Sequence, residues 1–571
     1  MIIRESSKML NLSADAFSKM KKLRLLKVLC LSNCDDLKFL SNELRLLDWK
    51  GCPLRSLPSS FQPENLIALL LPYSRIQQLW KGNRPLCKLK MMNLEGSQNL
   101  IKTPDFTTAL NLEVLILEGC TKLVDVHPSI GVLKSLKLLN LRDCKSLRTL
   151  PTKIGMESLE TLILSGCSSL IMFPEIDGKM EFLKTLDLSG CYRLESLLEN
   201  LQQSKILEEL DLSETSITEP PSFIFQLKNI KILSFNGCKG PSSKLRPSLP
   251  SLFKVLQGRR TNPMARMLPL LSGLSSLREL KLRYCNLCEG DIPSDISCLS
   301  SLTDLDLSGN NFISIPASLT RLSKLKSLKL SNCNMCALGE ADIHGLSSLR
   351  YLYLRGNNFI TIPLALTQLS RLEFLALSSC IKLKSLPELP TSVKDVRIDD
   401  CASLKVVASL SNVSNLVDLD FIRAINCFKL AENIKALTLL KRHLKGFANS
   451  RKRFEVIMPG SEIPEWFSQQ RSDSSIKIPF RKDSECVGAT AESNRLSKYL
   501  VEQASNLAEQ TNNFELKKEE NKLRKFERIL MNKADFIHML NNGIMPIHKP
   551  SNLLVKICII IPNHHLLPLI H

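Results

Sequence analysis

The stretch LETLILSGC, Leu159–Cys167, sets leucine at its first, fourth and sixth positions and cysteine at its ninth. Leu162 and Leu164 flank a single residue, the period-two spacing of a short strand, in which alternate side chains share a face. With Leu159 they form an inward leucine face too small to be stable alone. The same text recurs along the chain. Its first apolar residue falls at Leu44, Leu66, Leu89, Leu112, Leu136, Leu159, Leu183, Leu207 and Ile230, then at Leu277, Leu302, Leu325, Leu349, Leu372 and Val393. Successive copies lie 21 to 25 residues apart, except for one step of 47 after Ile230.

Fifteen copies in register at this period read as the leucine-rich repeat. The expected fold is an α/β solenoid, a horseshoe with a parallel β-sheet on its concave face. At about 4.8 Å per strand that sheet runs for roughly 70 Å. The 47-residue step is close to two periods, so one turn there is degenerate or carries an insertion. The segment Lys239–Ser272, with SSKLRPSLPS and QGRRTNPMARM, reads as a basic loop protruding from the missing turn. The slot after the strand holds Cys52, Cys120, Cys144, Cys167, Cys191, Cys238, Cys285, Cys333, Cys380 and Cys401, with Asn310 and Asn357 in two repeats. Small side chains there face a tight turn whose backbone groups need partners. Leu-Pro and Ile-Pro pairs, such as Leu150-Pro151, Ile315-Pro316 and Ile362-Pro363, mark an irregular or short helical return.

Composition agrees with a stacked repeat. The 571 residues are 44% hydrophobic and 23% charged but only 5% aromatic, and the net charge is +20. That balance excludes a disordered or fibrous chain. The basic excess is spread along the chain, with 21 basic and 14 acidic residues from Lys441 onward, so it makes no nucleic-acid footprint. The start, MIIRESSKML, has no apolar run of signal-peptide length, and 19 cysteines along so long a chain suit reduced thiols in the cytosol or nucleus. The tail Leu553–Ile570 is apolar but broken by Lys556, Pro562, Pro568 and His564–His565, and reads as a frayed end, not a membrane span.

Four local texts go beyond a generic repeat: AFSKMKKLRLLKV (Ala16–Val28), LRLLDWKGCPLRSLPSSF (Leu44–Phe61), ENLIALLLPYSRIQQLWKG (Glu64–Gly82) and FEVIMPGSEIPEWFSQQ (Phe454–Gln470). Together they resemble plant intracellular immune receptors of the TIR–nucleotide-binding–LRR class, those similar to tobacco N-type resistance proteins. The last text resembles the opening of the jelly-roll/Ig-like domain that follows the repeats in that class. It singles out Pro459, Gly460, Ser461, Glu462, Ile463, Pro464, Trp466 and Phe467. The resemblance covers about residues 10–480. It implies a protein-recognition and autoinhibitory module that senses a pathogen effector or a guarded host protein, with the receptor's nucleotide-binding domain as intramolecular partner. The class carries its TIR and nucleotide-binding domains before the repeats, whereas this chain starts almost at the repeats. No G-x-x-x-x-G-K-[ST] loop occurs, and the Gly178-Lys179-Met180 text does not make one. The expectation is therefore a non-catalytic chain without cofactor, metal or small-molecule substrate. The alternatives are a generic LRR scaffold, a non-functional receptor fragment, or a TIR-type NAD hydrolase whose catalytic domain is absent.

The chain then divides into a cap with a first degenerate repeat (1–43), repeats (44–238), the basic insertion or degenerate repeat (239–272) and repeats (273–430). A basic linker (431–453), a truncated jelly-roll start (454–482) and a helical or disordered tail (483–571) follow. Lys441-Arg442 and Arg451-Lys452-Arg453 read as that solvated linker, with a bipartite nuclear signal as the rival, so the expected location is the cytoplasm with the nucleus as alternative. Cys285-x-x-Cys288 and Cys333-x-x-Cys336 have zinc-site spacing, but Cys285 and Cys333 are ladder cysteines pointing into the core. No Ser/His/Asp or paired-carboxylate arrangement stands out. Asp187, Asp211 and Asp306 take the exposed position between the second and third leucines, as an acidic surface for an intramolecular partner. Further on the outward positions hold Lys281, Arg283, Tyr284, Lys329, Tyr351, Tyr353, Arg355 and Phe374, with Arg397 in the same column. Tyr and Arg dominate binding hot spots, so these eight residues are the candidate protein-binding patch.

Overall fold

The computed structural model describes residues 1–3, 10–29, 32–34, 36–176, 180–197, 201, 204–217, 222–238, 263–338, 343–408, 421–427 and 429–430. It also describes the strands Phe454–Gly460, Arg528–Leu530 and Leu553–Ile559. The chain forms two compact units, residues 1–312 with 316–328, and residues 313–315 with 329–571.

In the first unit each repeat contributes one short strand, and consecutive strands pair in parallel. Leu138–Asn140, Thr161–Ile163, Thr185–Asp187 and Glu209–Asp211 show the register, with Leu139, Leu162, Leu186 and Leu210 directly opposite one another. The three inward apolar residues of each repeat are buried, as Leu159, Leu162 and Leu164 illustrate. Each such side chain contributes roughly 1.5–3 kcal/mol, realised only when a neighbouring turn covers it. At the amino end Phe17 meets Trp49 edge-on, with ring centroids 6.3 Å apart, and Ile2–Ile3 pairs with the strand Leu25–Val28.

The 47-residue step skips no strand. Ile232–Ser234 pairs directly with Glu279–Lys281, and the Phe235 amide donates to the Lys281 carbonyl at 2.9 Å. The extra length is therefore looped out between adjacent strands. Of that length, Pro263–Met267 is an α-helix and Leu268–Gly273 a 3-10 helix, and Met264, Met267, Leu268 and Leu271 are buried. The basic texts before Pro263 lie outside the described residues.

The second unit continues the pattern with Tyr351–Tyr353, Phe374–Ala376, Asp395–Arg397 and Phe421–Arg423 in parallel. The strand Phe421–Arg423 belongs to a further turn beyond the fifteen read from sequence, closed by buried Cys427. It pairs with Phe454–Gly460, which pairs antiparallel with Leu553–Ile559, and that strand pairs in parallel with Arg528–Leu530. Within the tail expected to be helical or disordered, Arg528–Leu530 and Leu553–Ile559 are strands, and Leu553–Ile559 pairs along Phe454–Gly460. An unpaired strand edge exposes a row of amides and carbonyls, which this pairing satisfies.

Among the described residues several returns to the next strand are 3-10 turns. Pro293, Pro316 and Pro363 stand immediately before the turns Ser294–Cys298, Ala317–Arg321 and Leu364–Gln368. Proline has no amide to donate, and the position before a turn asks for none from it. Seven residues after each first leucine the backbone turns left-handed. Gly166, Gly190 and Gly309 serve there at φ 73–74°, but Tyr73, Asp143, Glu214, Tyr284 and Asn332 hold the same conformation at φ 55–58°.

Candidate protein-binding face

The slot after each strand is a hydrogen-bonding post. Cys120, Cys144, Cys167 and Cys191 are buried, and each thiol donates to a carbonyl of the preceding repeat at 3.1–3.3 Å. Burial pushes the Cys120, Cys191 and Cys285 thiols up to about 12, so they stay protonated and unreactive at neutral pH. Asn310 does more. Its Nδ2 donates to the Leu282 and Leu307 carbonyls at 2.8 and 2.7 Å, and its Oδ1 accepts from the Cys285 and Leu287 amides at 3.1 and 3.0 Å. Asn357 repeats this around Leu330, Leu354, Cys333 and Met335. Ser97 fills a slot that the cysteine pattern missed, donating to the Leu71 carbonyl at 3.1 Å. Within each Cys-x-x-Cys text one thiol is buried and the other exposed, Cys285 against Cys288 and Cys333 against Cys336, so neither pair converges on one centre. Among the described residues no three His, Cys, Asp or Glu side chains converge as a metal site.

The outward aspartates differ from the expectation. Asp187, Asp211 and Asp306 each accept the amide two residues on, from Ser189, Ser213 and Ser308 at 2.8–3.0 Å. Asn93 and Asn140 do the same in their repeats. The column therefore closes a turn at the strand end, and Asp306 is buried, so it is no open acidic surface. Burial raises the Asp211 carboxyl above the usual carboxylate range.

One histidine lies in an arrangement that the sequence did not reveal. His127 Nδ1 is 2.8 Å from Ser129 Oγ and 3.6 Å from Asp105 Oδ1. Both partners address the same ring nitrogen, whereas a proton relay needs one on each. Ser129 Oγ also accepts the Phe106 amide at 2.8 Å, so the group ties two adjacent repeats together.

Of the eight candidate residues, Lys281, Arg283 and Tyr284 belong to the first unit. Lys281 is paired with Glu279 at 3.0 Å, and Arg283 Nε lies 3.8 Å from Asp306. Tyr284 sits on the left-handed turn, not on the strand face. Its ring lies over Gly309, where an added Cβ would come within 2.2 Å of it. The Tyr73 ring covers Gly96 in the same way.

The other five belong to the second unit, and the strands bring their rings together. Tyr351 is directly opposite Phe374 across the parallel pair, with centroids 6.5 Å apart, while Tyr353 and Phe374 are 5.0 Å apart and tilted by 43°. The Lys329 ammonium stands 5.8 Å from the Tyr353 ring centre and the Arg397 guanidinium 5.1 Å from that of Phe374. Arg355 is exposed beside them. Three rings held between two cations form a preorganised contact surface, since tilted ring pairs and cation–π contacts fix side chains that would otherwise cost entropy to order. Of the jelly-roll text, Pro459 and Gly460 end the strand Phe454–Gly460, while Ser461, Glu462, Ile463, Pro464, Trp466 and Phe467 lie outside the described residues.

The open face of the first unit has another character. Lys90–Glu113, Lys137–Glu113, Lys184–Glu160 and Lys231–Glu208 pair at 2.7–3.1 Å along one column. These pairs are exposed and screened by solvent, so they add little to stability. Beside them the strands present Leu70, Met91, Val114, Ile116, Leu138 and Ile163, all half-buried. No aromatic–cation cluster like that of the second unit occurs among these strands.

The leucine rich repeat family matches residues 276–299 and 300–359. Disease resistance-like protein DSC1 of Arabidopsis thaliana is 33% identical over 526 residues, 82% of this chain and 39% of that protein. TMV resistance protein N of Nicotiana glutinosa is 33% identical over 341 residues, 55% of this chain and 30% of that protein. This is a leucine-rich-repeat chain related to plant disease resistance proteins. Disease resistance protein RPP5 of Arabidopsis thaliana is 44% identical over 128 residues, 22% of this chain and 9% of that protein. The chain thus spans well under half the length of these resistance proteins. Among solved structures an LRR protein of Leptospira interrogans is similar at a TM-score of 0.44 and 22% identity, covering 66% of this chain and 95% of that one. Among the described residues of this resistance-protein relative, no helix is long and apolar enough to cross a membrane.

Proposed function

We propose that this chain is the recognition module of a plant immune receptor. It is non-catalytic itself, acts in the cytoplasm, and binds a pathogen effector or a guarded host protein. The observation that carries the reading is the Tyr351, Tyr353 and Phe374 cluster held between Lys329 and Arg397. Few residues supply most of an interface's energy, and Tyr and Arg are over-represented among them. Arg355, Lys281, Arg283 and Tyr284 extend the recognition surface, and the Pro459–Phe467 text adds a second contact element. In a longer receptor the nucleotide-binding domain is the intramolecular partner.

The test is co-purification of the whole chain from plant tissue, beside a variant carrying Tyr353→Ala, Arg355→Ala and Phe374→Ala. The replaced residues stand on the outward side of their strands and turn, so circular dichroism should be unchanged. Hot-spot truncation costs about 2 kcal/mol or more per residue, enough to lose a micromolar partner from a washed resin. Loss of a specific partner with the variant supports the reading. An unchanged set of partners places recognition elsewhere.

A further inference from the structure

On the open face of the first unit we infer a further docking surface, which takes an amphipathic helix of a partner protein with acidic residues at one end. It is independent of the ring cluster. Six successive strands set Leu25, Leu46, Ala68, Met91, Val114 and Leu138 in one register. All six are exposed or half-buried, so they form an apolar stripe facing solvent. The stripe stops sharply, because the next positions in register are Thr161 and Thr185. Scattered apolar residues on a surface need no explanation, but a contiguous patch with a polar rim marks an interaction site.

Spacing selects the occupant. At roughly 4.8 Å per strand the stripe runs for about 24 Å. The apolar stripe of a helix advances about 5.4 Å per turn, so successive turns meet successive strands, and about 16 residues cover the whole. Same-face residues of an extended chain advance about 6.6 Å and fall out of step. Charge along the border selects the acidic end. From Lys90 onward that border is neutral, since Glu113 takes both Lys90 and Lys137. At the amino end it is positive. Arg24 and Arg45 immediately precede Leu25 and Leu46, and the Arg45 amide donates to the Arg24 carbonyl at 2.7 Å, which sets them in neighbouring repeats. Both side chains are exposed, and neither forms an ion pair among the described residues. Asp48 is held by Lys27 at 2.8 Å. Ser41 Oγ donates to the Lys21 carbonyl, which brings Lys21 and Lys22 alongside, so Glu43 alone does not balance the four cations. Carboxylates on the end of a helix lying there compensate these cations and speed encounter.

Fluorescent helical peptides of about 18 residues test this on the whole chain. All carry one leucine stripe among Ala and Gln, and they end in three Glu, three Gln or three Lys. The Glu peptide should bind about tenfold tighter than the Gln peptide at low salt, the Lys peptide weakest, and the differences should shrink at high salt. Arg24→Gln with Arg45→Gln should remove the Glu peptide's advantage. Met91→Ser with Val114→Ser should weaken all three peptides, and two central prolines in the Glu peptide should abolish its binding. The two arginines stand outside the core, so their readout holds whatever the serine variant does to the urea midpoint. Equal binding of the Glu and Gln peptides would overturn the acidic end, and full binding of the proline peptide would overturn the helix. Binding of no peptide, or binding unmoved by the serine variant at an unchanged urea midpoint, would overturn the surface itself.

Discussion

Asn310 shows how much a single side chain does in this fold. One buried amide closes four backbone groups, two carbonyls and two amides, across adjacent repeats. Asn310→Ala strips all four, and each buried group left unpaired costs roughly 1–3 kcal/mol, so the loss should reach at least about 3 kcal/mol by urea unfolding. A drop below about 1 kcal/mol would mean that water replaces the amide. Gly309 poses a different problem at the same turn. Alanine there takes on a left-handed backbone, roughly 1–2 kcal/mol, and its Cβ meets the Tyr284 ring. Gly309→Ala should therefore be destabilising, and Tyr284→Ala in the same chain should recover the steric part and leave the backbone part. If the two costs simply add, the ring does not rest on Gly309 in solution.

At the scale of the element, the strand-end column decides what an acidic residue means. Asp211 is the acceptor for the Ser213 amide, a task that Asn93 and Asn140 perform without charge. Its carboxyl is raised by burial, so the folded state holds the proton more tightly than the unfolded one. For a carboxyl shifted upward, the charged form costs stability above the folded value, and that cost fades as pH falls through it. Asp211→Asn keeps the acceptor and removes the charge, so it should raise the urea midpoint at pH 7. The gain should shrink as pH falls through the folded value of Asp211 and vanish below the ordinary value of the unfolded carboxyl. A lower midpoint at pH 7 would show that the charged hydrogen bond outweighs burial. The column was visible in the sequence as a run of outward positions, but period two alone cannot separate a residue facing solvent from one bent back to its own turn. The ring cluster was legible for the complementary reason: Tyr351, Tyr353 and Phe374 are too large to bend back, so outward placement by alternation is where they stay. Tyr284 was misplaced by the same logic, because the chain has left the strand and turned left-handed by the time it reaches that residue.

For the whole molecule, the repeat was legible because its leucines recur at the spacing that the stacking physics demands. The nature of the 47-residue step was not, since a degenerate turn and an insertion differ only in whether Ile232–Ser234 and Glu279–Lys281 touch. The last turn, at Phe421–Arg423, escaped because Ile422 and Ala424 replace the leucines. What the sequence does fix about stability is its one-dimensional character: each strand bonds only to the turns before and after it. Leu162 is opposite Leu139 on one side and Leu186 on the other, and Leu162→Ala should cost about 2–5 kcal/mol. In a stack that loss is shared locally. Hydrogen exchange of the whole chain should therefore show protection falling first in Leu138–Asn140, Thr161–Ile163 and Thr185–Asp187 and decaying with each further turn. The strands Leu46–Trp49 and Asp304–Asp306, several turns away in the same unit, should keep most of theirs. Uniform loss through residues 1–312 would instead mean that the first unit unfolds as one cooperative core, and nearest-neighbour stacking would no longer describe it.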